Sequence, residues 1–525
     1  MSNKTCCFVL LLLCSTPMLL SGCSGSDDSD PISTITRYVR MLTDNQDELK
    51  GDVDIYKPTS ADFDRLNKKV LANPGNAAIY RNRGRAYYYS DLLDHNKLAL
   101  ADYNKAISLF QWNAHWYSER SFLFDILERH EEALTDINKA IQLNSNEPEF
   151  YSDRASIYED LGKTEEAFKD QVKAAEIEKP AGRHSISLAK ELAKRGQETA
   201  ALELLNKVIA RSEGYWVSEA HEERINILMC QGNFDQAIKE VTEWKSESPP
   251  SASALKCSAK LIEVFGPKQK ALDDYQQLVK LSAAEMKNHG IAYATDYEER
   301  ADYYDRLGQP KNAAEDRRKA LATYDKDEKE EIDKEPANKE QPKDEVPNLA
   351  SRVELYDKLG EVKKAGELRA HEIAAQDALV AESPASADAY HSRGLVLEKY
   401  KKYEQALRDY GRMMTLQPND NHYIGHHAGC LNHLKRYQQA FDECKKGLKT
   451  STRYSEFVLV PLAEASEQLG KHEDAVEYAT SKIKTDKTSG DAYYWRSHAY
   501  EKLGKKELAK HDLILSKWFE SESVE

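Results

Sequence analysis

The chain has 525 residues, of which 40% are hydrophobic and 31% charged, and its mean hydropathy is −0.72. This composition is too polar for a protein that crosses a membrane many times and too aromatic for a wholly disordered one. Lys and Arg number 74 against 89 Asp and Glu, and the net charge of −15 excludes the basic footprint of a general nucleic-acid binder.

The N-terminus has the pattern of a secretory signal. Lys4 precedes an apolar run over residues 6–13, and the segment ends in Leu-Ser-Gly-Cys at residues 20–23. The run is too short to span a bilayer as a stable helix. The last four residues resemble the lipobox of bacterial lipoproteins, in which the leader is cut immediately before a cysteine that carries lipid. This resemblance implies a signal peptide over residues 1–22 and lipidation of Cys23.

Lipidation would attach the protein to a membrane. An acylated N-terminus carries two or three chains, and the attachment is lasting because each buried methylene contributes about 0.8 kcal/mol. By the convention of enteric bacteria, Ser24 in place of aspartate directs a lipoprotein to the outer membrane, facing the periplasm. The alternatives are an ordinary signal peptide that is cut elsewhere and a cytosolic protein with an apolar start.

A repeated pattern fills the chain after residues 23–75, which are predicted to hold a polar tether and short capping helices. A unit has an aromatic residue, an arginine three positions later and a small residue beside it. An alanine follows thirteen positions after the arginine, and an acid three positions after that. Seven units keep the arginine and the acid, the first with three extra residues between them: Arg83 and Asp102, Arg120 and Asp136, Arg154 and Asp170, Arg224 and Glu240, Arg300 and Asp316, Arg393 and Asp409, Arg496 and Asp512.

Each unit is predicted to form a hairpin of two helices. Apolar and small residues recur at i, i+4 and i+7, as in Tyr151, Ala155 and Tyr158, which marks one face of a helix. A Leu-Gly pair, as at residues 161–162, ends that helix because glycine tolerates the left-handed conformation. A second periodic stretch follows and is closed by Pro180. A lone hairpin cannot bury both faces, so neighbouring hairpins must stack.

The Leu-Gly turn, the tyrosines, the alanines and a spacing of mostly 34 to 37 residues resemble the tetratricopeptide repeat family. The resemblance implies an all-α solenoid of about twelve repeats, with the first helices of the hairpins along its concave surface. One array of about seven repeats is predicted over residues 76–324, and a second of about five over residues 349–520. Residues 325–348 hold fifteen charged residues, which predicts a linker whose first part can extend the preceding helix.

The arginine and the acid of a unit are predicted to form an ion pair between the two helices of one hairpin. Where the arginine is replaced, as at Leu188, the matching acid is also replaced, here by Leu204. The exceptions are Arg352, which has no acid at the matching position, and Asp274, which has no arginine. A partly buried pair held by the guanidinium fork explains this pattern. Ligand binding by the arginines is the alternative.

Partner binding is predicted on the first helices of the earliest hairpins. Cations beside aromatic rings suit an extended peptide or a carboxylate terminus. Solvated surface charge without a partner is the alternative. The candidate residues lie off the packing stripe of the first two units, and they are Arg81, Arg85, Tyr88, Tyr89, His115 and Phe122.

One possible set of metal ligands lies in the second array. His422, His426, Cys430 and His433 fall on one stripe of a helix, and imidazole and thiolate bind Zn²⁺ or Cu⁺. A single helix rarely supplies a closed shell of four ligands, so a polar, partly packed helix is the favoured interpretation, and no metal or other cofactor is predicted. The sequence does not decide whether two disulfides form: Cys430–Cys444 and Cys230–Cys257.

These features predict a non-catalytic scaffold, a lipid-anchored lipoprotein of the bacterial cell envelope that docks envelope proteins or peptides in its concave groove. The sequence contains no glycine-rich phosphate loop after a strand pattern and no Gly-x-Ser-x-Gly elbow. Nucleic acid and small-molecule substrates are not expected. The alternatives are a pilotin-like factor that assembles a secretion or pilus system and a metal-binding envelope protein.

Overall fold

The structure is a computed structural model of the chain. The predicted signal peptide, Cys23, Pro180 and most of the predicted linker lie outside the residues that it describes. Those residues are 58, 60–90, 95–179, 181–211, 215–246, 250–266, 268–290, 292–334, 348–417, 421–450 and 456–519.

Within these ranges all regular structure is helical, as predicted, with twenty-five α-helices, a short 3₁₀ helix at Lys268–Lys270 and no strand. After the first helix, the others pair in chain order into twelve hairpins, which confirms the predicted number. The chain forms two compact units, Met1–Ile177 and Glu178–Glu525. Among the described helices, none combines the length and the apolar character that crossing a bilayer requires.

Unit 1 contains a leading helix and three hairpins. Arg83 on the second helix donates a hydrogen bond to the side chain of Asn67 on the first, at 2.8 Å, as later arginines do to the preceding hairpin. The leading helix therefore takes the place of a second helix. The helices of unit 1 are α1 (Ser60–Ala72), α2 (Ala77–Tyr88), α3 (His95–Leu109), α4 (Ala114–Ile126), α5 (His130–Leu143), α6 (Pro148–Asp160) and α7 (Thr164–Ile177).

Unit 2 contains nine hairpins. Its helix α15 continues to Lys334, which confirms that the first part of the charged segment extends the preceding helix. The helices of unit 2 are α8 (Arg183–Lys194), α9 (Glu198–Arg211), α10 (Tyr215–Cys230), α11 (Phe234–Lys245), α12 (Ala252–Phe265), α13 (Ala271–His289), α14 (Ala294–Arg306), α15 (Pro310–Lys334), α16 (Leu349–Lys358), α17 (Val362–Glu382), α18 (Ala387–Lys399), α19 (Tyr403–Leu416), α20 (Asn421–His433), α21 (Tyr437–Thr450), α22 (Glu456–Gln468), α23 (His472–Thr485), α24 (Gly490–Lys502) and α25 (Lys506–Phe519).

The turn within a hairpin places one residue in the left-handed region. Gly162 between α6 and α7 has φ of 69°, and its amide donates to the carbonyl of Glu159 at 2.9 Å. Lys435 takes the corresponding conformation between α20 and α21, with φ of 60°. A side chain at such a position costs backbone energy that glycine avoids. The Leu-Gly pairs therefore end the first helices, as the sequence predicts.

Small residues let the two helices of a hairpin approach closely. A Cβ added to Gly84 on α2 would lie 3.3 Å from the carbonyl oxygen of Ala99 on α3. At the same position in the next hairpin, the Ser121 hydroxyl donates to the carbonyl of Ala133 at 2.8 Å. Ala133 is fully buried, and it packs in one core with the buried Phe150 of the following hairpin. The core therefore lies both within hairpins and between neighbours.

The predicted arginine–acid pairs are confirmed. Arg154 on α6 donates from Nε and Nη2 to the two carboxylate oxygens of Asp170 on α7, both at 2.7 Å. Arg224 reaches Glu240 at 2.9 Å. The forked contact of Arg154 with Asp170 fixes the relative positions of the two helices. Five other hairpins have the same two-pronged contact, at 2.6 to 2.9 Å: Arg83–Asp102, Arg120–Asp136, Arg300–Asp316, Arg393–Asp409 and Arg496–Asp512.

A third arm of the same guanidinium reaches the preceding hairpin. Nη1 of Arg154 donates to the side chain of Asn138 on α5 at 2.7 Å. Arg154 therefore joins three helices, and it links neighbouring hairpins as well as the two helices of its own. The acceptors in four other hairpins stand sixteen positions before the arginine: Asn67, Asn104, Asp377 and Thr480.

The two exceptions in the sequence pattern find partners elsewhere. Asp274 on α13 is fully buried, and Lys245 at the end of α11 contacts it from the preceding hairpin. Lys245 also donates to the hydroxyl of Ser258 at 3.2 Å. Arg352 on α16 pairs with Asp325 on α15. In both cases the charge is balanced between hairpins and not within one.

Within unit 2, the last hairpin packs against early helices of the same unit. Trp518 on α25 donates its indole N–H to the side chain of Asn226 on α10 at 2.9 Å. Trp518 and Tyr493 share a buried cluster with Ile225 and Trp244. The end of unit 2 is therefore in contact with helices near its beginning. The predicted division into two arrays at residues 325–348 stays a prediction.

Candidate docking surface

Five of the six predicted partner-binding residues lie together in unit 1: Arg81, Arg85 and Tyr88 on α2, Tyr89 directly after it, and Phe122 on α4. Arg81 and Arg85 both face Glu119 on α4, the first through a forked hydrogen bond whose Nε donates at 2.8 Å, the second at 4.0 Å. The charge of Arg81 is thus balanced within the protein. The two cations are part of the contact between first helices, and they are less available to a partner than the sequence suggests.

Aromatic side chains continue this surface. Tyr88 packs edge-on against Tyr89, with ring centroids 4.8 Å apart, and against Phe122 of the next hairpin at 5.9 Å. Tyr89 is 41% exposed and Phe122 is 52% exposed. The sequence prediction did not include Ile126, which is 45% exposed. Its position, four residues after Phe122 on the same helix, was the available signal.

We call Tyr88, Tyr89, Phe122 and Ile126 the apolar surface of unit 1. His115 does not belong to it. Its ring packs on Phe150 of the following hairpin, with centroids 5.2 Å apart. Its Nε2 lies 4.0 Å from a carboxylate oxygen of Glu147.

Tyr88 of this group stays neutral at physiological pH. Burial, followed by the neighbouring Tyr89, raises the pKa of Tyr88 above its usual value. The hydroxyl of Tyr88 therefore acts as a hydrogen-bond group, and the surface offers a partner apolar area beside a neutral phenol.

The one-helix metal stripe considered from the sequence does not assemble. Cys430 is fully buried in the core, where burial raises the pKa of its thiol to about 12. The ring of His433 stacks on Tyr403, with centroids 4.2 Å apart. All four cysteines of the described part, Cys230, Cys257, Cys430 and Cys444, are free thiols, so neither disulfide left open is formed.

Comparison with known proteins identifies the repeat. A family model described as tetratricopeptide repeat matches residues 148–180 and 490–515, which correspond to hairpins α6–α7 and α24–α25. The chain contains tetratricopeptide repeats. Both matched hairpins have the complete arginine–acid contact. Proteins of this fold generally serve as non-catalytic scaffolds on which other proteins dock.

Several solved structures are similar to parts of the repeat chain. The crystal structure of MamA is 20% identical, with 29% of this chain and 88% of that chain covered and a TM-score of 0.25. YrrB, titled a TPR protein with an unusual peptide-binding site, is 14% identical, with 37% and 93% covered and a TM-score of 0.24. PilF of Pseudomonas aeruginosa is 15% identical, with 42% and 93% covered and a TM-score of 0.29. No curated protein matches the sequence significantly.

Proposed function

We propose that this protein is a non-catalytic docking scaffold whose apolar surface in unit 1 binds a protein segment through apolar side chains. The supporting observation is the grouping of Tyr88, Tyr89, Phe122 and Ile126 across two neighbouring first helices. Exposed aromatic groups of this kind are typical anchors in interfaces.

The chemistry of the surface selects the kind of segment. Arg81 already holds Glu119, so the surface does not demand an anionic group from the partner. An apolar or amphipathic segment with few acids fits best, since the chain itself carries a net charge of −15. We therefore propose this kind of segment as the partner, in place of the carboxylate terminus considered from the sequence.

Site-specific crosslinking in cells tests the docking surface. A photoreactive amino acid at Phe122 should capture a defined partner, whereas the same group at Trp112 should not. Trp112 is the matched control because it lies in the same unit and is 51% exposed. With the captured segment as a purified peptide, Phe122→Ala should weaken the affinity about tenfold or more. Equal capture at both positions, or an unchanged affinity, would contradict the proposal.

We also propose that the scaffold is lipidated at Cys23 and held at the outer membrane of a bacterial envelope, facing the periplasm. The support is the Leu-Ser-Gly-Cys sequence at residues 20–23 and the following Ser24. Growth with an alkyne-labelled fatty acid should label the parent but not a Cys23→Ser variant. An unlabelled parent in the soluble fraction would refute the anchor.

The pilotin-like alternative is tested with the same preparation. Co-purification of an outer-membrane ring subunit with the lipidated parent, lost in Phe122→Ala, would assign the scaffold to the assembly of a secretion or pilus system. A partner that belongs to no such machine would assign it to general recruitment.

A further inference from the structure

We propose that His391, His422 and His426 of unit 2 form a binding site for a divalent transition-metal ion, and Zn²⁺, which commonly binds three imidazoles and a water, is the ion we expect. His391 lies on α18, and the other two lie one turn apart on α20. One ligand nitrogen of each histidine lies within 4.8 Å of the others. The site therefore joins two neighbouring hairpins, and the sequence stripe on α20 supplies only two of its three ligands.

The separation of the rings suits a shared ion. The ring centroids are 5.0 Å apart for His391 and His422, 5.5 Å for His391 and His426, and 4.9 Å for His422 and His426. Zn–N bonds of about 2.0 to 2.1 Å place tetrahedral nitrogens roughly 3.4 Å apart. Side-chain rotations that move each nitrogen by about 1 Å would bring the three onto one ion.

A carboxylate behind the cluster orients one ligand. Nδ1 of His426 lies 3.3 Å from Oε2 of Glu398, and the hydroxyl of Tyr410 donates to the same oxygen at 2.8 Å. Nε2 of His426 is then the nitrogen that faces a metal. A histidine held by a carboxylate in this way is the usual arrangement at zinc sites. It fixes the tautomer and makes the imidazole a better donor.

Aromatic neighbours pack against two of the three rings. The ring of His426 stacks on Tyr410, with centroids 5.2 Å apart, and His422 packs edge-on against Phe457 at 4.6 Å. All three histidines are half-buried, so the ion can enter from solvent. Three ligands leave a fourth position for water or for a group from a bound protein. The ion would therefore fasten α18 to α20 and leave one position open.

The chain offers a matched control on the same helix. His427 follows His426, but its Nδ1 lies 2.6 Å from Glu443, and it does not belong to the cluster. A second described group of nearby acids and a histidine, Asp125, His130 and Asp160, lies in unit 1, where Nδ1 of His130 already lies 2.9 Å from Asp125. A His427 variant controls for the loss of any histidine from α20, and a His130 variant tests whether zinc binds to the group in unit 1 instead.

Zinc titration of the full chain by calorimetry tests the site. We expect one Zn²⁺ per chain, an affinity at least tenfold lower in His391→Ala and in His422→Ala, and no change in His427→Ala or His130→Ala. Glu398→Gln should weaken zinc binding by 10- to 100-fold, because Glu398 is a positioning residue that orients His426. With Co²⁺ as the probe, the visible absorption of a three-histidine complex should appear in the parent and vanish in His391→Ala.

Zinc should also raise the thermal midpoint of the parent and of His427→Ala, because an ion that binds only the folded state stabilises it. If His391→Ala does not fold, His391→Gln gives the same comparison with less loss of packing. The proposal is wrong if the parent binds no Zn²⁺, if His391 and His422 variants bind it as tightly as the parent, or if binding is lost in His130→Ala.

Discussion

The hairpins α6–α7 and α12–α13 balance a buried acid in two different ways. In the first, Arg154 of the same hairpin holds Asp170, and Asn138 of the preceding hairpin accepts the remaining arm of the guanidinium. In the second, Ser258 stands where the arginine would be, and Lys245 of the preceding hairpin reaches Asp274 directly. The preceding hairpin thus supplies an auxiliary acceptor in one case and the whole countercharge in the other.

This difference indicates which part of the pattern the fold requires. The acid on the second helix is buried in both hairpins, and its countercharge can come from either side of the stack. A charge without a partner in the interior is costly, whereas the identity of the partner matters less. The stability of α12–α13 should therefore depend on the preceding hairpin, which supplies its countercharge. The hairpin α6–α7 supplies its own countercharge.

The largest effect is expected from Lys245→Ala. It leaves the fully buried Asp274 without its countercharge, and removal of one partner of a buried pair costs about 3 kcal/mol or more. Hydrogen exchange of peptides from α11 to α13 should measure the loss locally, since long repeat chains do not unfold as one unit. Lys239→Ala on the same helix is the control, because Lys239 pairs with Glu243 on an exposed surface.

Ser258→Arg in the Lys245→Ala variant should restore the arginine–acid pair of the regular repeats. Ser258 stands sixteen positions before Asp274, the spacing of Arg154 and Asp170. We expect the double variant Lys245→Ala, Ser258→Arg to recover about 2 kcal/mol of the loss, because a forked pair then forms within the hairpin. If the amides of α12 and α13 exchange as fast in the double variant as in Lys245→Ala, this hairpin cannot form the arginine–acid pair of the regular repeats.

Arg154→Ala should cost about 2 kcal/mol, less than Lys245→Ala, since Asp170 is slightly exposed where Asp274 is not. Arg154→Lys should fall between the parent and Arg154→Ala, because it keeps the charge and loses the fork. Hydrogen exchange in α6 and α7 measures the effect. Protection equal to that of the parent would show that the pair contributes nothing to the hairpin.

The smallest effect is expected from Asn138→Ala. It removes one hydrogen bond to Arg154 and leaves the pair with Asp170 intact, so we expect a loss of about 1 kcal/mol. The loss should appear between the hairpins, as faster exchange in both α5 and α6. An effect as large as that of Arg154→Ala would mean that the contact between hairpins dominates.

Much of the fold could be predicted from the sequence because its determinants are local. The spacing of Arg154 and Asp170 within one hairpin predicted the contact that the structure has. Glycine at position 162 predicted the turn for the same reason. Such signals recur in each unit, and repetition makes them visible.

The remaining contacts depend on how hairpins stack. The pairing of Lys245 with Asp274 and the return of Trp518 to Asn226 join residues of different hairpins, 29 and 292 positions apart. The candidate docking surface was predicted in part, since Phe122 was chosen and its neighbour Ile126 was not. His391 was missed because the search for metal ligands followed one helix.

The sequence alone determined the helical hairpin, its turns and the pairing of charges inside it, since these depend on residues a few turns apart on helices of fixed geometry. The tertiary structure decided which side chains of different hairpins meet, and with that the apolar surface of unit 1 and the histidine cluster of unit 2. The offset between stacked hairpins sets those contacts, and it follows from the packing of many side chains at once.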